Sequence, residues 1–172
     1  DTASDTLEHL LTQLTHLRSE EAAVVRELRK RGKEPRYKET IELLSTIKGI
    51  SWLSAITLTL ELGTMERFAK MDHLSSYVGL VPGEHSSGEH KRSTRITSRC
   101  NGELRDMLIE CSWVAVRYDE ELMRYFILKS RSMRKTEAII YVAQRLLKRV
   151  RSIWLSREPY RVILTTQQTT KE

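Results

Sequence analysis

Apolar residues recur along this chain at helical spacing, and the spacing changes character near residue 35. Leu7, Leu10, Leu14, Leu17, Val24 and Leu28 follow steps of three and four, with Glu21 in one slot and Lys, Arg and Glu crowding the rest. Such a pattern over about four heptads predicts a coiled coil or an antiparallel helix pair. The alternative is one helix packing on its own domain. Arg29-Lys30-Arg31-Gly32-Lys33-Glu34-Pro35 ends the segment with a basic last turn, a glycine stop and a proline beyond it. A second unit opens with a helix from Glu39 to Ile47, a Lys48-Gly49-Ile50 turn, and a helix from Ser51 to Leu62 that stops at Gly63. Met65 to Tyr77 reads as a short helical region, and Val78 to Gly88, rich in Gly, Pro and Ser, as an exposed loop. His90 to Arg99 is a short segment of extended character. Asn101 then has the place of an N-cap for a helix through Leu104, Leu108, Cys111 and Ala115. A helix pair near Glu120–Lys129 and Thr136–Ser156 closes the fold, before eleven residues of frayed tail. The expected fold is mainly α: a long coiled-coil helix, then a compact helical domain containing a helix-hairpin-helix. The expected organisation is an arm over 1–34, a main domain over 41–130, a C-terminal helix over 131–161 packing on it, and a tail over 162–172.

The hairpin has a physical use. A tight turn before a helix leaves the first amides of that helix unpaired, and with the positive end of the dipole they hold a phosphate without reading a base. Lys48 and Gly49 are the residues so placed. The usual form has glycine on both sides of the central apolar residue. Here Ser51 stands second, where it serves equally as an N-cap. Many αα-hairpins bind nothing.

Charge sharpens the picture only when it is located. The 172 residues carry a net charge of +6. Residues 1–88 hold 11 Lys/Arg against 13 Asp/Glu, whereas residues 89–161 hold 17 against 9. The basic excess lies in the second half, as expected for a polyanionic partner or a solvated basic face. Arg105 falls in the first turn of the helix after Asn101, where a cation opposes the dipole unless an anion approaches. The most apolar stretch, Ile50 to Leu62, is too short and too polar to cross a membrane. Nothing near Asp1 resembles a signal peptide, so a soluble, intracellular protein is expected.

Cys100 and Cys111 are separated by ten residues, and adding His85 and His90 produces no metal knuckle. Cys111 shares an apolar helical side with Leu104, Met107 and Leu108, so a core role is expected, with no metal site in this chain. Trp52, Trp113 and Trp154 also fall on apolar faces and read as core. Lys148-Arg149 and Arg151 read as a helix face that is solvated or touches a nucleic-acid backbone.

Several short motifs, in order, carry a family resemblance. They are Ser45-Thr46-Ile47-Lys48-Gly49-Ile50, Glu61-Leu62-Gly63 and Arg67-Phe68, then Tyr77-Val78-Gly79-Leu80-Val81-Pro82 and His85-Ser86-Ser87-Gly88, and finally Arg95-Ile96-Thr97 and Asn101 with Leu104-Arg105. From about residue 41 to 115 this series resembles the C-terminal domain of the insertion-sequence-110 family of transposases. The sequence departs from that pattern at Ser51, Ser98 and Cys100. The resemblance implies a recombinase of mobile elements in the bacterial cytoplasm, associated with the nucleoid. It implies a RuvC-like domain whose acidic residues bind magnesium, a coiled coil, and a C-terminal domain whose Ser-Gly serine attacks DNA. It further implies DNA as partner, with a structured guide RNA. This chain has no room for the acidic domain, so magnesium is expected there and the chain alone is expected to be inactive.

On that resemblance Ser87 is the expected nucleophile, because it precedes Gly88. Within 18 residues follow Lys91, Arg92, Arg95, Arg99 and Arg105, suited to offset charge gathering on a phosphate. His85 is a candidate proton acceptor, and a group from the acidic domain is the other. Lys48, Gly49, Lys91, Arg92, Arg95, Arg99, Asn101 and Arg105 form the expected DNA-contacting set. The coiled coil over residues 5–31 is expected to make a homo-oligomer. The alternative function is a non-catalytic DNA-binding and dimerisation module, a degenerate transposase remnant.

Overall fold

The computed structural model describes residues 2–81, 83–84, 93–94 and 100–161. Among them are seven α-helices, one 3-10 turn and one pair of two-residue strands, so the protein is mainly α. The chain divides into two compact units, 1–39 and 40–172, with the boundary inside the second helix.

In the first unit α1 runs Thr2–Arg31, one unbroken helix with none of its residues buried. Leu7, Leu10, Leu14, Leu17 and Val24 are all exposed. The helix ends as its sequence dictates, in Arg29, Lys30 and Arg31, where cations meet the negative end of the dipole. The second helix, α2, is Pro35–Leu44. Pro35 was expected to lie beyond a stop, with the next helix opening at Glu39. It is instead the first residue of α2, a position where the missing N–H costs nothing and the fixed φ already suits the helix.

The second unit is built around α7, Lys135–Ser156. Ala138, Ile139, Val142, Ala143, Leu146, Leu147, Val150, Ile153 and Trp154 recur at three- and four-residue steps, and all are buried. Against this stripe pack α5 (Gly102–Tyr118) and α6 (Glu120–Ser130). The 3-10 turn Met65–Arg67 and α4 (Met71–Val78) also contact it. The remaining helix, α3 (Trp52–Leu62), lies on α5 and buries Ala55, Ile56, Leu58, Thr59 and Leu62. Each aliphatic side chain taken fully from water contributes about 1.5–3 kcal/mol, so α7 is the centre of the core.

Helix starts follow local chemistry. The Ser51 hydroxyl accepts from the Ser54 amide at the head of α3, Asn101 accepts from Leu104 at the head of α5, and Asp119 accepts from Leu122 at the head of α6. The link from α2 to α3 is longer than the sequence suggested, because α2 ends at Leu44 rather than Ile47. Ile47 leaves the helix to become buried, and Gly49 takes φ +95°, a conformation that favours glycine.

One expectation about exposure is overturned. Val78, Gly79 and Leu80, read as the start of an exposed loop, are buried. Gly79 is the left-handed C-cap of α4, and a Cβ there would lie 2.4 Å from Cys100 Sγ. Glycine marks a close approach at this point, not a solvent loop.

Candidate nucleic-acid interface

The segment that carries the expected nucleophile lies in sequence between Leu80, which is buried, and Cys100, which is half-buried. Both ends are fixed by hydrogen bonds. Leu80 N donates to Ser75 O at 2.9 Å, and the Gln144 side-chain amide of α7 donates to Leu80 O. At the other end Asn101 N donates to Tyr77 O at 2.8 Å. Between them, β1 (Gly83–Glu84) pairs antiparallel with β2 (Ser93–Thr94), Gly83 opposite Thr94 and Glu84 opposite Ser93. The two ends of segment 85–92 are therefore held side by side. Ser87, His85, Lys91 and Arg92 fall within that segment, and Arg95 and Arg99 beyond it. All six lie outside the described residues. The extended character expected before Asn101 is present at Ser93–Thr94.

Four members of the expected contact set are described: Lys48, Asn101 and Arg105 have intramolecular partners, and Gly49 packs against α5. Lys48 is exposed, and its Nζ donates to Tyr118 O at 2.9 Å, placing a cation at the C-terminal end of α5. Gly49 lies against the same helix: a Cβ there would be 2.6 Å from both Cys111 O and Ala115 Cβ. Asn101 Nδ2 donates to Glu61 Oε2 at 2.9 Å while its Oδ1 caps α5. Arg105, half-buried in the first turn of α5, pairs with Asp106 at 3.2 Å and reaches Cys100 Sγ at 3.5 Å. The structure brings Asn101 and Arg105 to the base of the serine-bearing segment, and places Lys48 and Gly49 at the other end of α5.

Glu61, Tyr77 and Arg67 complete the base. Tyr77 Oη donates to Glu61 O at 3.4 Å, and the Arg67 guanidinium sits over the Phe68 and Tyr77 rings at 4.7 and 4.8 Å. This arrangement orders a cation beside the α4–α5 junction at small entropic cost.

Other basic residues turn out to hold the fold. Arg149, read from the sequence as part of a solvated or backbone-contacting face, has only 13% of its side chain exposed. It pairs with Asp119 at 2.8 Å and with Glu121 at 2.6 Å. Arg151 Nη2 reaches the carbonyls of Phe68 and Ala69 at 3.3 and 3.4 Å, tying α7 to the linker before α4. Lys148 alone of that group is exposed.

Asp119 is the polar centre of the unit. Burial alone would raise its pKa. The Tyr160 hydroxyl at 2.7 Å, the Leu122 amide and the Arg149 guanidinium outweigh burial and hold it below the ordinary carboxylate value. Tyr160 is pushed the other way, by burial and by its hydrogen bond to Asp119. Its backbone N donates to Thr46 Oγ1 at 2.8 Å, closing the segment after α7 onto the link between α2 and α3. Sequence reading passed over this cluster. The one signal was Asp119-Glu120-Glu121 ahead of an apolar run, a helix-start signature.

Cys111 is buried in the core, as expected, and desolvation raises its thiol pKa. Cys111 is a free thiol. Among the described residues no three His, Cys, Asp or Glu side chains gather into a metal site. Trp154 is buried, whereas Trp52 and Trp113 are half-buried, with Trp113 edge-on to Phe126 at 5.5 Å. No helix of the described residues is long and apolar enough to cross a membrane.

Residues 41–127, from α2 through most of α6, match a family of transposases of insertion sequence elements. The chain belongs to the Transposase IS116/IS110/IS902 family. It is 39% identical over 70 residues to y4qE, a candidate transposase of Sinorhizobium fredii, covering 41% of this chain and 18% of that protein. It is 31% identical over 80 residues to the transposase for insertion sequence element IS1111A of Coxiella burnetii, covering 46% of this chain and 22% of that protein. The matched stretch spans about a fifth of the length of these relatives.

Proposed function

We propose that this chain is the DNA-holding, serine-bearing part of an insertion-sequence transposase, with Ser87 as the nucleophile. The observation that carries the reading is the family match, whose residues 41–127 include Ser87. In this reading Ser87 Oγ attacks a phosphodiester phosphorus and one ester oxygen departs. The bond energy is retained in a phosphoserine until a DNA hydroxyl attacks in turn. The serine proton passes to His85 or to a base supplied by an acidic domain, and the departing oxygen takes up a proton. Lys91, Arg92, Arg95, Arg99 and Arg105 offset the charge gathering on the phosphate. Magnesium belongs in this reading to the acidic domain, since the described residues form no acidic cluster to hold it. A structured guide RNA is a further proposed partner, and the bacterial cytoplasm, at the nucleoid, the proposed place of action.

The exposed seam of α1 supports a second element of the proposal, self-association. Leu7, Leu10, Leu14, Leu17 and Val24 form an apolar stripe with none of its residues buried, and a second copy of the same helix would cover it.

DNA binding is tested by fluorescence anisotropy on a mixed-sequence duplex over a salt series. Counterion release predicts affinity falling steeply with salt, and Arg95→Ala with Arg99→Ala should flatten that dependence. A chain that binds no duplex at low salt would overturn the reading.

A further inference from the structure

The hairpin of α6 and α7 carries a set of cations that the serine-bearing site does not use. Its tip reads Lys129-Ser130-Arg131-Ser132-Met133-Arg134-Lys135, four cations in seven residues, and it lies C-terminal to the family-matched residues 41–127. Arg131, Arg134 and Lys135 are exposed. Arg134 faces one carboxylate, Glu137 at 3.8 Å, whereas Arg131 and Lys135 form no ion pair among the described residues.

Behind the tip the two helices run antiparallel with cations and tyrosines interleaved across the groove. Lys129 of α6 lies over Tyr141 of α7 at 4.7 Å and over Tyr125 at 5.6 Å. Arg145 of α7 lies over Tyr125 at 4.1 Å and pairs with Glu121 at 3.4 Å. Residues 121, 125 and 129 thus oppose 149, 145 and 141 in a four-residue register set by the pitch of both helices. The rings hold Lys129 and Arg145 in place, so ordering those long side chains on a ligand costs little further entropy. At the head of α7 the N-cap position is Arg134, which makes no side-chain cap. The positive end of a 22-residue helix therefore opens among the same cations.

A bare structural role accounts poorly for this set. The fold already uses Arg149 and Arg151 to tie α7 down, and both are engaged by carboxylates or carbonyls. The tip cations meet a single acidic residue between them, repel one another, and gain only when an extended polyanion neutralises several at once. The rings are faced by the protein's own cations, which favours contact with phosphates over stacking of bases.

We propose that the α6–α7 tip is a second nucleic-acid contact, separate from the serine-bearing segment. There Lys129, Arg131, Arg134, Lys135 and Arg145 hold the phosphate backbone without reading sequence. The inference takes the identity of the polyanion from the nucleic-acid reading above, but its residues and geometry are independent of that reading.

The test measures binding of a mixed-sequence DNA duplex, and of an RNA of equal length, by anisotropy across a salt series. The whole chain is used, with Arg131→Gln, Arg134→Gln and Lys135→Gln combined. The slope of log affinity against log salt should fall by about 2 to 3, close to one per lost phosphate contact. A control carries Arg26→Gln, Arg29→Gln and Lys30→Gln in α1, removing the same charge elsewhere, and should leave the slope near the parent's. A fall on DNA alone or on RNA alone names that polymer as the partner. An unchanged slope on both, or an equal fall in the control, overturns the proposal. A parent chain that binds neither polymer overturns the nucleic-acid reading as well. Because the three side chains are exposed, thermal melting should be unaltered. Should the triple variant melt early, Arg131→Gln and Lys135→Gln singly carry the same test, each with about a third of the effect.

Discussion

Asn101 caps α5 through its Oδ1 and at the same time donates from Nδ2 to Glu61 Oε2 at 2.9 Å, so one side chain fastens the start of α5 to the last turn of α3. Losing both bonds removes a cap worth about 1 kcal/mol and leaves Glu61 without this donor. Asn101→Ala should lower stability by about 1 to 2 kcal/mol in urea unfolding. Asn101→Asp keeps the cap but sets two carboxylates against each other, so its deficit should shrink as the pH falls toward 4. A deficit that ignores pH would contradict this geometry.

Two glycines allow packing to be separated from backbone strain. Gly49 and Gly63 both have positive φ, +95° and +65°, but only Gly49 has neighbours where a Cβ would go. Gly63→Ala should cost only the backbone term, about 1 to 3 kcal/mol. Gly49→Ala adds a collision with the backbone of α5 and should cost about 2 to 5 kcal/mol. Equal costs at the two positions would mean that α5 yields to the extra methyl group.

Stability should depend on pH through Asp119 and Tyr160 with opposite signs. The folded-state pKa of Asp119 is depressed, so its contribution is present above its unfolded value, about 3.9, and is lost as pH falls through the folded value. The folded-state pKa of Tyr160 is raised, so its contribution is present below about 10 and is lost as pH rises beyond that. Tyr160→Phe should therefore be less stable than the parent at pH 8, with the gap narrowing between pH 10 and 11. Urea titrations at these pH values measure the gap, and a constant one would remove Tyr160 from the linkage.

Much of the fold was legible because helix signals are local. Asn101 and Ser51 were readable as caps from residue type and position, and the α7 stripe from its period. The hidden parts depend on contacts far apart in sequence. Nothing local to Gly79 says that Cys100 packs on it, and nothing local to Arg149 says that Asp119 and Glu121 wait across the helix pair. Gln144 holds Leu80 O from 64 residues away, a bond that no pattern in α7 announces. At the candidate site, the motifs around Ser87 carried the reading, whereas Lys48, Asn101 and Arg105 proved also to have partners within the fold.

The exposed seam of α1 gives a prediction about assembly. Light scattering on the parent chain should report an assembly larger than one chain, and Leu14→Glu should reduce it, since a buried carboxylate at the seam is costly. If parent and variant are both monomers with the same melting temperature, α1 stands alone and the self-association proposal fails.

As the proposed nucleophile, Ser87 becomes bonded to DNA through its Oγ. The direct measurement supplies the chain together with the proposed acidic domain, on DNA nicked so that rejoining fails, and maps any covalent protein–DNA adduct by peptide mass analysis. The expected result is an adduct on Ser87 that disappears in Ser87→Ala while duplex affinity and melting temperature stay at the parent's values. Ser86→Ala should retain the adduct. An adduct that persists in Ser87→Ala, or that maps to another residue, would rule out Ser87 as the nucleophile, and the absence of any adduct would favour a non-catalytic DNA-binding and dimerisation module.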